Sequence, residues 1–140
     1  NDNYDLQNSH VLPALLRKFH EAKINNQTQV EVWGTGEPLR EFLHASDMAN
    51  ACVYLMQNYN DEGFVNIGTG NEISIKELAF LIKKIVGFQG KIVFDSSKPS
   101  GTPRKLTDIT KLTNLGWNYK IELEEGIRNV YQEKFLMNGN

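Results

Sequence analysis

An α/β fold class follows from three features of the chain. Short runs rich in β-branched and aromatic residues, at 30–33, 64–67 and 91–94, alternate with longer segments whose apolar residues recur at helical spacing. Gly, Asn, Asp or Pro separates most of these segments. The 140 residues are 40% hydrophobic and 23% charged, a globular composition in a chain long enough to bury a core.

The elements can be justified in order. A polar stretch to about residue 9 leads into a helix over 11–23, where Pro13 occupies the first turn and its missing N–H costs nothing. Val11, Leu12, Leu15, Leu16 and Phe19 form its apolar stripe, with Arg17, Lys18 and Glu21 largely opposite. A polar loop precedes the strand 30–33, which ends at the turn Gly34-Thr35-Gly36. Ser46 or Asp47 is expected to cap a helix over 48–57, with Ala49, Ala51 and Cys52 as a small, closely packed face. Residues 64–67 read as a short buried strand stopped by Gly68-Thr69-Gly70. Ser74 and Glu77 make a capping box for the clearest helix, which Gly87 ends. A strand over 91–94, a polar loop over 95–105, a short helix over 107–115 and an amphipathic helix over 123–136 complete the chain. Three short strands are few for a self-contained sheet, so partners outside the chain are expected.

Charge and composition exclude several functions. Fifteen Lys and Arg against 17 Asp and Glu give a net charge of −2, with no general attraction for nucleic acid or an anionic membrane. The single cysteine excludes an internal disulfide and a cysteine-rich zinc site, and its helix position predicts a buried thiol. No metal is expected, because His20 and His44 lack ligand spacing. No run approaches the roughly 18 apolar residues of a membrane span, and no signal peptide is visible. The cysteine usage is compatible with a reducing cytoplasm, the expected location. The opening Asn1-Asp2-Asn3-Tyr4-Asp5, without an initiator Met, reads as the middle of a loop and hence as a fragment.

Trp33 and Arg40 flank the first glycine turn, a pairing that suits a ligand with a flat ring and a diphosphate. The alternative is edge packing for Trp33 and a carboxylate partner, Glu41 or Asp47, for Arg40. His10 lies at a helix start, where the dipole disfavours imidazolium. It reads either as a proton donor or acceptor or as a simple cap. Lys18 belongs to a solvated face or to an anion site. The loop Lys98-Pro99-Ser100-Gly101-Thr102-Pro103-Arg104-Lys105 sets three positive charges among two prolines. Gly68-Thr69-Gly70 looks like a phosphate loop but lacks P-loop and G-x-G-x-x-G spacing.

Taken in order, His10-Val11-Leu12-Pro13, Trp33-Gly34-Thr35-Gly36, Arg40-Glu41-Phe42-Leu43-His44, Asn66-Ile67-Gly68 and Gly101-Thr102-Pro103-Arg104-Lys105 resemble the C-terminal portion of the GDP-L-fucose synthase family. The third and fourth segments are shared across the extended short-chain dehydrogenase/reductase group, and the others are more particular. The resemblance implies one substrate-binding domain over 1–140 that lacks most of the Rossmann domain and packs some elements against it. It implies an NADP-dependent enzyme that epimerises GDP-4-keto-6-deoxymannose at C3 and C5 and reduces C4, a homodimer when whole. By resemblance His10 is the general acid and lies near the nicotinamide; Lys18, Trp33, Arg40, Ser100 and Lys105 contact the GDP-sugar. Ser100 departs from the Asp common there, and a hydroxyl accepts hydrogen bonds more weakly than a carboxylate. NADP would be held mainly by the N-terminal half, whose Gly-rich motif, Tyr-x-x-x-Lys pair and cysteine are not in this chain. Alone, the chain is expected to be inactive. The rivals are the substrate domain of another nucleotide-sugar epimerase or dehydratase, and a non-catalytic binding module.

Overall fold

Residues 11–60, 63–99 and 106–136 are described by the computed structural model. Helix α1 (Val11–Ile24) carries Lys18 on its exposed side and buries Leu12, Leu15, Leu16 and Phe19. Strand β1 (Gln29–Trp33) alternates strictly, with Val30 and Val32 inward and Gln29, Glu31 and Trp33 outward. That period of two is what a sheet covered on one face requires. Its partner, β4 (Lys91–Asp95), runs parallel in a register that sets Trp33 opposite Asp95. Between them in the chain, β2 (Leu39–Arg40) and β3 (Ile73–Ser74) form a second, antiparallel pair, with Arg40 opposite Ile73.

Helix α3 (Ile75–Val86) begins with the predicted reciprocal capping box and ends at Gly87 in the left-handed conformation. It packs on α1 and on α5 (Leu123–Tyr131). Their apolar faces and the inner face of β1 make the main core, in which Phe19 meets Phe88 edge to face at 5.8 Å. A smaller core gathers Leu43, Ala51, Leu112 and Trp117 beneath α2 (Ala45–Asn58) and α4 (Thr110–Asn114). Among the described residues no helix is long and apolar enough to cross a membrane.

Several expectations are corrected. Residues 64–67 form no strand; Val65 and Ile67 pack against the smaller core, while Phe64 is 80% exposed. A strand needs a ladder, and none of the described residues pairs with this segment. Helix α2 starts three residues earlier than expected, capped by the His44 ring, which accepts the Ser46 amide. Asp47 is instead a strut: buried, it accepts the amides of Lys120 and Ile121 at 3.1 and 2.9 Å, tying α2 to the approach to α5. Cys52 is exposed rather than buried, because α2 turns Ala51 inward and leaves Cys52, Val53 and Met56 toward solvent. The short fourth helix covers only Thr110–Asn114, since Asp108 turns back to accept the Thr110 amide. The last helix is α-helical only to Tyr131; from Gln132 to Leu136 it widens into a π-turn. That turn brings Phe135 onto Tyr131 and the buried His20 ring, whose Nδ1 lies 2.8 Å from the Tyr131 hydroxyl.

Candidate functional site

Trp33 and Lys98 meet at the C-terminal end of β1, the end at which open α/β sheets present their ligand loops, whereas Arg40 lies on the antiparallel β2–β3 pair. Trp33 closes β1 with its indole 55% exposed. One side of the ring is covered by Lys98, whose Nζ lies 5.5 Å from the ring centroid. Hydrogen bonds from Ser97, helped by the nearby Lys98 charge, hold the Asp95 carboxyl below its ordinary range. Lys18 reaches across from α1 and donates to the Glu31 carbonyl at 2.9 Å, two residues before Trp33. The structure therefore brings Trp33 and Lys98 together at the end of β1 and sets Lys18 on the middle of the same strand.

The turn after Trp33 is tightly specified. The Gly34 amide donates to the Asp95 carbonyl at 2.9 Å, and the amides of Lys76 and Ile75 donate to Gly36 and Pro38. Gly36 has φ +83°, and a Cβ there would lie 2.9 Å from the Phe94 ring. This turn delivers the chain to Arg40, which is only 5% exposed and donates to the Leu39 carbonyl at 2.8 Å. Arg40 lines a small open cleft of about 80 Å³ together with Thr69, Asn71, Tyr119 and Glu122. That volume is well below the roughly 300 Å³ at which ordinary small-ligand sites begin. This cleft is thus a wall rather than a complete pocket, and Lys18 and Trp33 are not part of it. His10, Ser100 and Lys105 lie outside the described residues.

Two networks behind and within the cleft were not evident from the sequence. Asn71 donates to the Tyr119 hydroxyl at 2.8 Å, and that hydroxyl donates to Glu122 at 3.3 Å. Burial and the Glu122 charge push the Tyr119 phenol up, so it remains a donor. The second network answers the question posed by Gly68-Thr69-Gly70. Its amides do bind an anion, and the anion is the protein's own Glu41 carboxylate. Thr69 and Gly70 donate to Oε2 at 2.8 and 2.9 Å, and Thr107 donates to Oε1 at 2.9 Å. Asp47 is likewise occupied by backbone amides. The nearby signal was a glycine pair without phosphate-loop spacing and an acidic residue set between Arg40 and Phe42.

Burial pushes the Glu41 carboxyl up, but hydrogen bonds from Thr107, Gly70 and Thr69 outweigh it and hold the carboxyl below the ordinary value. A carboxyl depressed in the folded state stabilises the fold above its unfolded pKa, and that stability is lost as pH falls through the folded value. Glu41→Gln is therefore expected to flatten the acid limb of stability below about pH 4.5, the ordinary glutamate value. Thermal unfolding measured from pH 7 to pH 3 checks this; an unchanged pH slope in the variant would contradict it.

Residues 1–68 match the family model described as the NAD dependent epimerase/dehydratase family. The chain is 58% identical over 132 residues to a putative GDP-L-fucose synthase 2 of Arabidopsis thaliana, covering 94% of the chain and 40% of that relative. It is 49% identical over 140 residues to a GDP-L-fucose synthase of Escherichia coli (strain K12), covering 94% of the chain and 44% of the relative. A solved GDP-L-fucose synthetase from Naegleria fowleri bound to NADP superposes with a TM-score of 0.81 at 34% identity, over 94% of this chain and 41% of that one. The chain thus spans less than half the length of the relatives it matches.

Proposed function

We propose that this chain, which corresponds over its length to the C-terminal portion of GDP-L-fucose synthases, holds the GDP-sugar and supplies a proton-transfer group. The whole protein would epimerise GDP-4-keto-6-deoxymannose at C3 and C5 and reduce it at C4. The observation that carries this reading is Arg40, a buried guanidinium lining a cleft and joined by a rigid turn to an exposed indole. A guanidinium grips phosphate oxygens in a bidentate fork, and an indole edge or face packs on a nucleoside. Lys18 and Lys105 add positive charge for the diphosphate, and Ser100 a hydroxyl contact. His10, the residue before Val11 in the sequence, serves as the general acid that returns a proton to the carbon next to the ketone.

The nicotinamide cofactor is assigned to the N-terminal Rossmann half. The Gly68–Gly70 turn does not fit its pyrophosphate, because the amides of Thr69 and Gly70 are already directed at Glu41. Docking of that half is supported by the face of α2, where Val53 and Met56 stand exposed, and by the exposed Phe64. Met56 is 82% and Phe64 80% exposed, and such apolar area normally has an occupant. The assembled enzyme would be a cytoplasmic homodimer.

Two experiments test this reading. The chain alone is expected to oxidise no NADPH in the presence of the keto-sugar. In the full-length enzyme His10→Asn is expected to cut solvent deuterium exchange at C3 and C5 by roughly 100-fold, the usual contribution of a positioned acid, while GDP still binds. Undiminished exchange would instead favour a non-catalytic module. Separately, Cys52 is expected to react readily with iodoacetamide in the chain alone and slowly in the full-length enzyme. Equal rates would show that the α2 face stays open.

A further inference from the structure

We propose that Glu41 is a positioning residue for the ligand wall: its carboxylate fills the amide nest of the Gly68–Gly70 turn and thereby sets Thr69 and Arg40 relative to one another. The inference rests on the reading of Arg40 as a diphosphate contact. Thr69 lines the same cleft as Arg40, yet it comes from a segment 28 residues beyond Glu41. Its amide donates to Glu41 Oε2 at 2.8 Å, while its hydroxyl lies between that oxygen, at 3.3 Å, and the Asn71 carbonyl, at 3.2 Å. The adjacent Gly70 amide converges on the same oxygen at 2.9 Å, while Thr107 takes the other oxygen.

The arrangement admits little substitution. A Cβ at position 68 would lie 2.6 Å from Glu41 Oε2 and 2.9 Å from Thr107 Cβ, so glycine allows the carboxylate to enter the nest. Glutamine has the right size, but one end of its amide is a donor and must face a backbone N–H on one side or the other. Glu41 directly follows Arg40 in the chain, so loosening the carboxylate loosens the backbone that carries the guanidinium. The nest thus works as an internal anion lock that holds the binding wall rather than binding substrate.

The test is a double-mutant cycle on the full-length enzyme, read by calorimetric titration with GDP. Glu41→Gln is expected to weaken GDP binding by about tenfold, the scale of a lost charge-assisted hydrogen bond. Because Glu41 acts through Arg40, the same change should be silent for GDP binding in an Arg40→Ala background, although it still lowers the melting temperature. A merely structural role would leave the two losses multiplicative. Multiplicative losses, or unchanged affinity in Glu41→Gln alongside weakened binding in Arg40→Ala, would overturn this inference only. Unchanged affinity in Arg40→Ala would overturn the reading of the cleft and this inference with it. Should Glu41→Gln fail to fold, Glu41→Asp, which keeps the charge one methylene short, is run through the same cycle with the same outcomes deciding.

Discussion

Arg40→Ala in the full-length enzyme is expected to weaken GDP binding by about 10- to 100-fold, because charge-assisted hydrogen bonds contribute roughly 1.5–3 kcal/mol. The guanidinium sits on β2, one residue before the Glu41 lock and seven after Trp33, with its backbone held by the Ile73 strand. Little of it reaches solvent, so its charge is screened less than that of an exposed lysine. Arg40→Lys should recover only part of the loss, since an ammonium cannot present the planar fork. Calorimetric titration with GDP checks both variants. Affinity unchanged in Arg40→Ala would remove the diphosphate role and return Arg40 to a structural one.

Phe19→Ala is expected to lower the unfolding free energy by about 3–5 kcal/mol, the range for emptying a phenyl-sized space in a packed core. Phe19 is fully buried between α1 and the rest of the main core, and its edge-to-face contact with Phe88 is lost with it. Loss on that scale is a large share of the roughly 5–15 kcal/mol that holds most domains folded. The effect also reaches the site, because α1 carries Lys18 to the Glu31 carbonyl beside Trp33. Urea unfolding checks the prediction; a drop below about 1 kcal/mol would mean that the site closes up on mutation rather than leaving a void.

Periodic elements were legible because their signals are local. The alternation around Val30 and Val32, the helical stripe of α1, and the Ser74–Glu77 box with its terminal Gly87 all depend on neighbours within a few residues. Three strands were expected, and two of them, β1 and β4, stand as written. The third, 64–67, is written in strand-forming residues, but a strand is a pairing as much as a propensity. Conversely β2 and β3 are two residues each, too short to leave a pattern, and exist because Arg40 and Ile73 meet across a long separation. Cys52 was misplaced for a related reason: small residues on one helix mark close packing without showing which side is packed.

The candidate site divides in the same way. Residue chemistry alone nominated Arg40 and Trp33, since a guanidinium among apolar residues and an indole beside a glycine turn are unusual enough to be visible. The resemblance to GDP-L-fucose synthases was also readable, because it is carried by short ordered motifs that a linear text preserves. Lys98 over the Trp33 ring, Asp47 as a strut to Ile121, and Glu41 in the nest of Thr69 and Gly70 were decided only by the tertiary structure. Each joins groups tens of residues apart, and a buried carboxylate's partner is set by which amides the fold leaves unpaired nearby, a quantity no local window contains.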